Sequence, residues 1–245
     1  MYEDGEDRSK TYGYKIRNFF VMKLLGEPVS VLDVGCSHGH FLASLTESVE
    51  PKVGVDIVRV PLNDAKRKSL SIVLADAHLL PFRDEAFQLV TAREVIEHLV
   101  APYEALKEWA RVSSKSIIIS SPVQDGYRTY NPILYTLWRM RDLMVQRQRR
   151  TLTEQQRLSK ESGHISVMTK TQILNLFSAE KNWKTEKYIF SLRTPLALVL
   201  DMKSFPKQLR KLVLRIEILL SIIPARISTL LFFEGFAAAV KFTRL

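Results

Sequence analysis

The sequence predicts a doubly wound α/β fold built on a mostly parallel sheet. Short apolar, β-branched runs recur between stretches of helical periodicity, and a glycine-bearing turn joins the first such run to the helix after it. Strands that stay apolar on both faces belong to sheets covered by helices on either side.

The elements follow in order. KTYGYKIRNFFVMKLL (10–25) reads as an N-terminal helix carrying aromatics, and PVSVLDVG (28–35) as the first buried strand. GHFLASLTES (39–48) continues as a helix, KVGVDI (52–57) is a second strand, and a charged helix follows Pro61. SIVLAD (71–76) and AFQLVTA (86–92) are the third and fourth strands. Pro102 stands where helices start, and Ala105, Leu106, Trp109, Ala110 and Val112 recur behind it at helical spacing. KSIIISSP (115–122) closes the series as a fifth strand.

The pattern changes after Pro122. An aromatic, Met- and Arg-rich segment places Ile133, Leu137, Met140 and Met144 on one helical face. A connection as long as 123–163 is expected to act as a lid or substrate cap. TKTQILNLFSAEKNW (169–183) reads as a helix, KTEKYIFSL (184–192) as a strand, 204–231 as Leu- and Ile-rich helix, and FEGFAAAVKF (233–242) as a last strand. One domain over 1–245 accommodates all of this: an N-terminal helix within 1–27, a core at 28–122, the cap at 123–163, and a C-terminal sheet half at 164–245 with a helical insertion over about 196–231.

Composition narrows the class. Hydrophobic residues at 46% and charged residues at 25% are those of an ordinary globular protein. The lone cysteine, Cys36, excludes an internal disulfide and a Cys-cluster metal site, and no metal is expected. Glu3, Asp4, Glu6 and Asp7 do not resemble a secretory leader, so a cytoplasmic location is expected. A formal charge of +10 is compatible with nucleic acid, an anionic membrane or a phosphorylated substrate, and equally with simple solubility.

The most informative stretch is Asp33-Val34-Gly35-Cys36-Ser37-His38-Gly39-His40, directly after a strand and opening a helix. Glycines there permit a tight turn and a close backbone approach, and the helix N-terminus offers N–H groups to an anion. The dinucleotide fingerprint G-x-G-x-x-G is not met, which disfavours a nicotinamide enzyme. Asp56 follows 23 positions after Asp33, near the offset at which an acid meets ribose hydroxyls, and Asp76 ends the third predicted strand.

VLDVGCSHGHFL, GVDI, LADAHLLPFRDEAFQLVTAREVIEHL and ALKEWARVSSKSIIISSP together resemble the class I S-adenosylmethionine (SAM)-dependent methyltransferases, in the type 11 group with the ubiquinone- and menaquinone-biosynthesis enzymes. GHISVMTKTQILNLFSA resembles that group's late Gly-His helix start. The resemblance implies a Rossmann-like, seven-stranded sheet with an antiparallel last strand and helical insertions, and SAM as cofactor. It implies that Gly35, Cys36, Ser37 and Gly39 line the methionine part, with Asp33 anchoring the loop and the ammonium end. Asp56 would take the ribose hydroxyls, Ile57 would pack on adenine, and Asp76 with the Ala77 backbone would hold the adenine amino group. Arg93, placed just past the fourth strand, would lie near the sulfonium. Ser37 and Ser113-Ser114-Lys115 depart from the group's pattern: the first needs compatible backbone torsions, and the second is expected to alter a loop.

A hydroxyl acceptor needs a base, and histidine suits the task by its pKa. His164 is the first candidate and His98 the second, while His38 and His40 are expected to position backbone. Leu209, Leu212, Val213, Ile216, Leu219, Leu220 and Ile223 share one helical face that either covers the sheet, lies peripherally on an anionic membrane or holds a lipid-like substrate. Arg139, Arg141, Arg147, Arg149 and Arg150 form a basic patch, yet no Asn/Asp-Pro-Pro-aromatic sequence follows the fourth strand, which lowers a nucleic-acid target. The reading is a methyltransferase acting on a small-molecule or lipid-linked acceptor by O- or C-methylation. RNA methylation, or a non-catalytic SAM-fold protein that binds a membrane or a partner, are the alternatives.

Overall fold

The computed structural model describes residues 12–123, 165–166, 168–193, 208–209, 212–213, 215–216 and 233–245. His164, the expected cap beyond Val123 and most of the expected insertion at 196–231 lie outside the described residues. The chain divides into two compact units, one of Met1–Gln124, Ile165–Ile189 and Ala237–Leu245, the other of Asp125–His164 and Phe190–Phe236. Of the second unit, residues 208–209, 212–213 and 215–216 are helical, with Val213 buried and Leu212 exposed.

Seven strands form one sheet in the order β3-β2-β1-β4-β5-β7-β6: β1 Val31–Val34, β2 Lys52–Asp56, β3 Ser71–Leu74, β4 Phe87–Arg93, β5 Ser113–Pro122, β6 Trp183–Arg193 and β7 Phe233–Arg244. The pairs β1–β2, β1–β4, β2–β3 and β4–β5 are parallel, and β7 runs antiparallel to β5 with Ile119 opposite Val240. The order reverses at β1, whose neighbours are β2 and β4. In open α/β sheets such a switch point places a crevice at the strands' carboxyl ends.

Helices α1 Tyr12–Leu25, α2 His40–Ser44, α3 Arg59–Arg67, α4 Pro102–Val112 and α5 Lys170–Leu174 accompany the strands. Phe20, Val21 and Leu24 of α1 join Phe41 and Leu42 of α2, Leu62 of α3 and Leu89, Ile118 and Ala239 of the sheet in one buried cluster. The apolar residues expected along α4 are all buried, Trp109 completely. Removing each large side chain from water contributes about 1.5–3 kcal/mol, which makes these helices part of the sheet's stability.

Three boundaries differ from expectation. Helix α2 stops at Ser44 because Leu45 is already extended. Strand β3 stops at Leu74, so Asp76 stands two residues beyond it, in a bridge to Leu79. Ser113-Ser114-Lys115 makes no loop: α4 passes straight into β5. The Ser113 hydroxyl donates to the Ser116 carbonyl at 2.9 Å, the Ser114 hydroxyl donates to the Phe87 carbonyl at 3.2 Å, and a register shift between Phe87 and Leu89 absorbs the extra length.

Helix α5 is shorter than the 169–183 expected, and its start is a capping box: the Gln172 N–H donates to the Thr169 hydroxyl, and the Thr169 N–H to the Gln172 side chain. Among the described residues no helix is long and apolar enough to cross a membrane.

Candidate cofactor-binding site

The β1–α2 turn is shaped by three residues with positive φ: Gly35 at 69°, Ser37 at 48° and Gly39 at 70°. A Cβ on Gly35 would lie 2.2 Å from Cγ2 of Val95, and one on Gly39 would lie 2.4 Å from Cδ1 of Leu70. Both glycines are therefore demanded twice, by backbone conformation and by packing. Ser37 takes the left-handed conformation despite its side chain, which a small polar residue does at modest cost.

Cys36 contributes backbone to this turn and side chain to the core. Its N–H donates to the Val55 carbonyl at 2.9 Å, and its sulfur packs so closely on Gly54 that a Cβ there would lie 2.6 Å away. Burial, reinforced by the nearby Asp33 charge, pushes the thiol pKa well up. It stays a neutral core group, so only its main chain can line a ligand.

Asp56, the last residue of β2, closes the turn from the other side. Oδ2 accepts the Ser37 N–H and Oδ1 accepts the Val58 N–H, each at 2.9 Å. A carboxylate has about four lone-pair positions, so two remain for a ligand. Ile57 beside it is 67% exposed and Leu79 is 77% exposed. Asp76 accepts the His78 N–H at 2.8 Å and faces the His78 ring Nδ1 at 2.7 Å, both through Oδ1. The backbone hydrogen bond and then the ring hold its carboxyl below the usual range. The Ala77 carbonyl accepts the Trp109 indole N–H at 3.0 Å, which leaves the Ala77 N–H as the group it can offer.

Asp33 and Arg93 stand together, and differently from expectation. Asp33 lies inside β1, fully buried. Its Oδ1 accepts the Thr91 hydroxyl at 2.7 Å, and its Oδ2 pairs with Nη2 of Arg93 at 3.1 Å. Arg93 is the last residue of β4 rather than a residue past it, and its guanidinium lies 4.3 Å from the Phe41 ring centroid and 5.8 Å from that of Tyr14. Both Asp33 oxygens are thus committed within the protein. The pair ties β1 to β4 beneath the turn, and a ligand ammonium would have to be met by other groups.

Among the histidines, His98 lies in a single 3-10 turn, Ile96–His98, after β4. His38 meets Asp64 at 3.0 Å, and Lys68 donates to the His38 carbonyl and meets Nδ1 of His40 at 3.2 Å, so these two rings are engaged with α3 and its C-cap.

Sequence reasoning missed an acidic pair at the carboxyl end of β4. Glu94 has a φ of 57°, its N–H donates to the Ser120 carbonyl, and its carboxylate meets Arg17 at 3.1 Å and the Ser120 hydroxyl at 3.3 Å. Glu97 is completely buried, accepts the Ser121 hydroxyl at 3.3 Å through Oε2, and has no hydrogen-bond partner for Oε1 among the described residues. Burial first, then the Glu94 charge, pushes the Glu97 carboxyl up to about 8, and burial raises Glu94 as well. The readable signal was Arg-Glu-Val-Ile-Glu, two acids three apart directly after a strand whose carboxyl end faces the crevice.

These features suit a charged nucleoside: acceptors at Asp56 and Asp76, apolar surface at Ile57 and Leu79, and a turn whose Cα atoms at 35 and 39 face packed side chains. Residues 32–118 match the family model of the methyltransferase domain. The uncharacterized methyltransferase YcgJ of Bacillus subtilis is 33% identical over 89 residues, covering 34% of this chain and 35% of that protein. A protein in transposon TN4556 of Streptomyces fradiae is 31% identical over 91 residues, covering 34% and 26%. The chain thus spans well under half the length of these curated relatives. The crystal structure of an Archaeoglobus fulgidus SAM-dependent methyltransferase shares the fold at a TM-score of 0.58 and 15% identity over 97% of both chains. The structure of YcgJ itself superposes at a TM-score of 0.54 with 16% identity over 95% of this chain and 97% of that one. Residues 32–118, which carry the turn at 33–39, thus match the methyltransferase domain, and the seven-stranded sheet has the Rossmann-like fold of the methyltransferase structures, a resemblance that implies S-adenosylmethionine as cofactor.

Proposed function

We propose that the protein transfers a methyl group from SAM to a small-molecule or lipid-linked acceptor, at oxygen or carbon. The observation that supports this best is the bond from the Ser37 N–H to Asp56, which joins the glycine turn and the β2 acid into one rim beside exposed Ile57. In this reading Asp56 holds the ribose hydroxyls, Ile57 packs on adenine, and Asp76 through Oδ2, with the Ala77 N–H, holds the adenine edge. The turn at Gly35, Ser37 and Gly39 contacts the methionine part through its main chain. Arg93, fixed by Asp33, sets the shape beneath the sulfonium.

The sulfonium supplies an activated methyl group, and the transfer is an in-line displacement that needs alignment and exclusion of water. The carboxyl ends of β4 and β5, where Glu94, Glu97, Ser120 and Ser121 gather, form the wall nearest the acceptor in this arrangement. His164, and second His98 at the same end, are the candidates for the general base that a hydroxyl acceptor needs. The basic and apolar composition of the chain outside the core is compatible with a lipid-linked acceptor at a membrane surface.

The test has two parts. Calorimetry measures SAM binding to the full chain, and labelled methyl from SAM is then followed into the lipid, small-molecule, RNA and protein fractions of a cell extract. Label in lipid or small molecules supports the proposal. Label confined to RNA replaces the acceptor class, and absence of SAM binding at millimolar concentration removes the enzyme reading.

A further inference from the structure

Asp76 follows a weak strand, and helix α4 holds the segment it opens. Strand β3 is the edge strand, four residues long and with none of them fully buried. Beyond the Ala75 N–H, which donates to the Asp56 carbonyl at 3.1 Å, the main chain is met by three side chains of α4. The Trp109 indole N–H donates to the Ala77 carbonyl at 3.0 Å. Glu108 accepts the Leu80 N–H at 2.8 Å, and Arg111 donates to the Leu80 carbonyl at 3.1 Å and to the Phe82 carbonyl at 2.8 Å. Arg111 also binds Glu108 through Nε at 2.9 Å and Nη2 at 2.6 Å, so the two side chains that grip Leu80 are locked to each other. Trp109 is completely buried, and Ala105, Leu106, Ala110 and Val112 are buried along the same helix, which fixes the frame.

One peptide unit carries this hold to Asp76. The carbonyl of the Ala77–His78 peptide accepts from Trp109, and its N–H donates to Oδ1 of Asp76 at 2.8 Å. The His78 ring Nδ1 meets the same oxygen at 2.7 Å. Those two contacts use the lone pairs of Oδ1, so Oδ2 and the neighbouring Ala77 N–H are the acceptor and donor for a ligand edge. The held points at Ala77 and Leu80 bracket the exposed Leu79. An acceptor beside a donor matches adenine, whose 6-amino group donates and whose N1 accepts. A 6-oxo purine reverses both groups, and each then faces its like.

We infer that Trp109 and the Glu108–Arg111 pair are positioning residues for the adenine end of the cofactor, and that through them α4 sets the preference for a 6-amino over a 6-oxo purine. They act through Asp76 and the Ala77 main chain. Telling a donor from an acceptor requires both groups to be held within about 0.5 Å of their working geometry, which a segment tied only to a short edge strand does not achieve. Asp56, by contrast, is fixed at the end of β2 by the Ser37 and Val58 N–H groups, so the ribose end of the site has its own support. The inference rests on the methyltransferase reading above, in particular on Asp76 meeting the adenine edge.

The test uses the full chain and two probes: S-adenosylhomocysteine, the cofactor after methyl transfer, and its 6-oxo counterpart S-inosylhomocysteine. Calorimetry on the wild type should give at least about 100-fold tighter binding of the 6-amino compound, because two hydrogen bonds are exchanged for two repulsions. Trp109→Phe keeps an aromatic ring in the core and loses the N–H. It should bind S-adenosylhomocysteine about tenfold more weakly and S-inosylhomocysteine within about threefold of wild type, so the preference shrinks. Arg111→Met, at a side chain 33% exposed, should shrink the preference in the same direction, and Arg111→Lys should restore part of it. In an Asp76→Ala background Trp109→Phe should leave the remaining preference unchanged, since it works through that carboxylate. Circular dichroism checks that each variant folds, and should Trp109→Phe not fold, the two Arg111 variants decide. Equal weakening of both probes, or an unchanged preference, makes α4 a support of the fold alone and overturns the inference. A wild type that binds both probes equally overturns the adenine assignment of Asp76 and the inference with it. One that binds neither probe nor SAM overturns the methyltransferase reading itself.

Discussion

The main-chain N–H of Ser37 donates to the Asp56 carboxylate at 2.9 Å, so the end of β2 is pinned to the left-handed apex of the β1–α2 turn. One side chain thereby shapes the turn and presents its remaining lone pairs beside the exposed Ile57.

Asp56→Ala should weaken SAM binding by at least about tenfold, because a hydrogen bond to a charged group contributes roughly 1.5–3 kcal/mol. Calorimetry on variant and wild type reads this directly, and equal affinities would take Asp56 out of the site.

Gly35→Ala should destabilise the fold by about 2–3 kcal/mol, since the new methyl meets Val95 at 2.2 Å and the residue must also hold a φ of 69°. Adding Val95→Ala removes the collision but not the torsional cost. Urea denaturation of the double variant should therefore recover part of the loss, and no recovery would mean that packing is not the constraint.

At Ser37 the torsion at 48° stands without a collision. Ser37→Gly gains conformational ease in the folded state and loses it through the more flexible unfolded chain, so stability should change by less than about 0.5 kcal/mol. Ser37→Val places a β-branched side chain in the left-handed region and should cost about 1–2 kcal/mol. Thermal melts of the two variants separate these cases.

Arg93→Met leaves the Asp33 charge buried without its partner, and a loss of about 3–5 kcal/mol is expected. Asp33→Leu combined with Arg93→Met should be markedly less destabilising than the sum of the single changes. Denaturant titrations of all four proteins measure the coupling, and strict additivity would show that the two residues act independently.

Glu97 makes stability depend on pH. Its folded-state pKa is raised from 4.5 to about 8, so between those values the native protein keeps a proton that the unfolded chain has released. Stability must then fall as pH rises from 4.5 toward 8 and level off above it. Glu97→Gln should flatten that slope and be the more stable protein at pH 8. Urea midpoints for the two proteins at acid and mildly alkaline pH check it, and parallel curves would show that Glu97 ionises normally.

Much of this molecule could be read from its residues in order. The runs at 31–34, 52–56 and 115–122 are apolar on both faces, a demand only a covered parallel sheet makes, and Gly35, Asp56 and Asp76 stand where that sheet opens. Periodicity and turn chemistry are local, and so were legible. Strand ends were less so: β3 stops short of Asp76 because the Asp76–His78 contacts turn the chain earlier than hydropathy suggests.

What tertiary structure alone decided concerns charges and contacts between distant segments. Nothing local in the sequence says that Asp33 meets Arg93, sixty positions on, instead of facing the crevice, or that the Cys36 sulfur turns into the core against Gly54. Nor does Arg-Glu-Val-Ile-Glu announce that one acid will face Arg17 of the first helix while the other is sealed, with no partner for Oε1 among the described residues. Hydrophobic pattern selects a fold because burial sums over many residues and tolerates local error. The state of a single ionisable group depends on the few atoms around it, which are fixed only when remote parts of the chain meet.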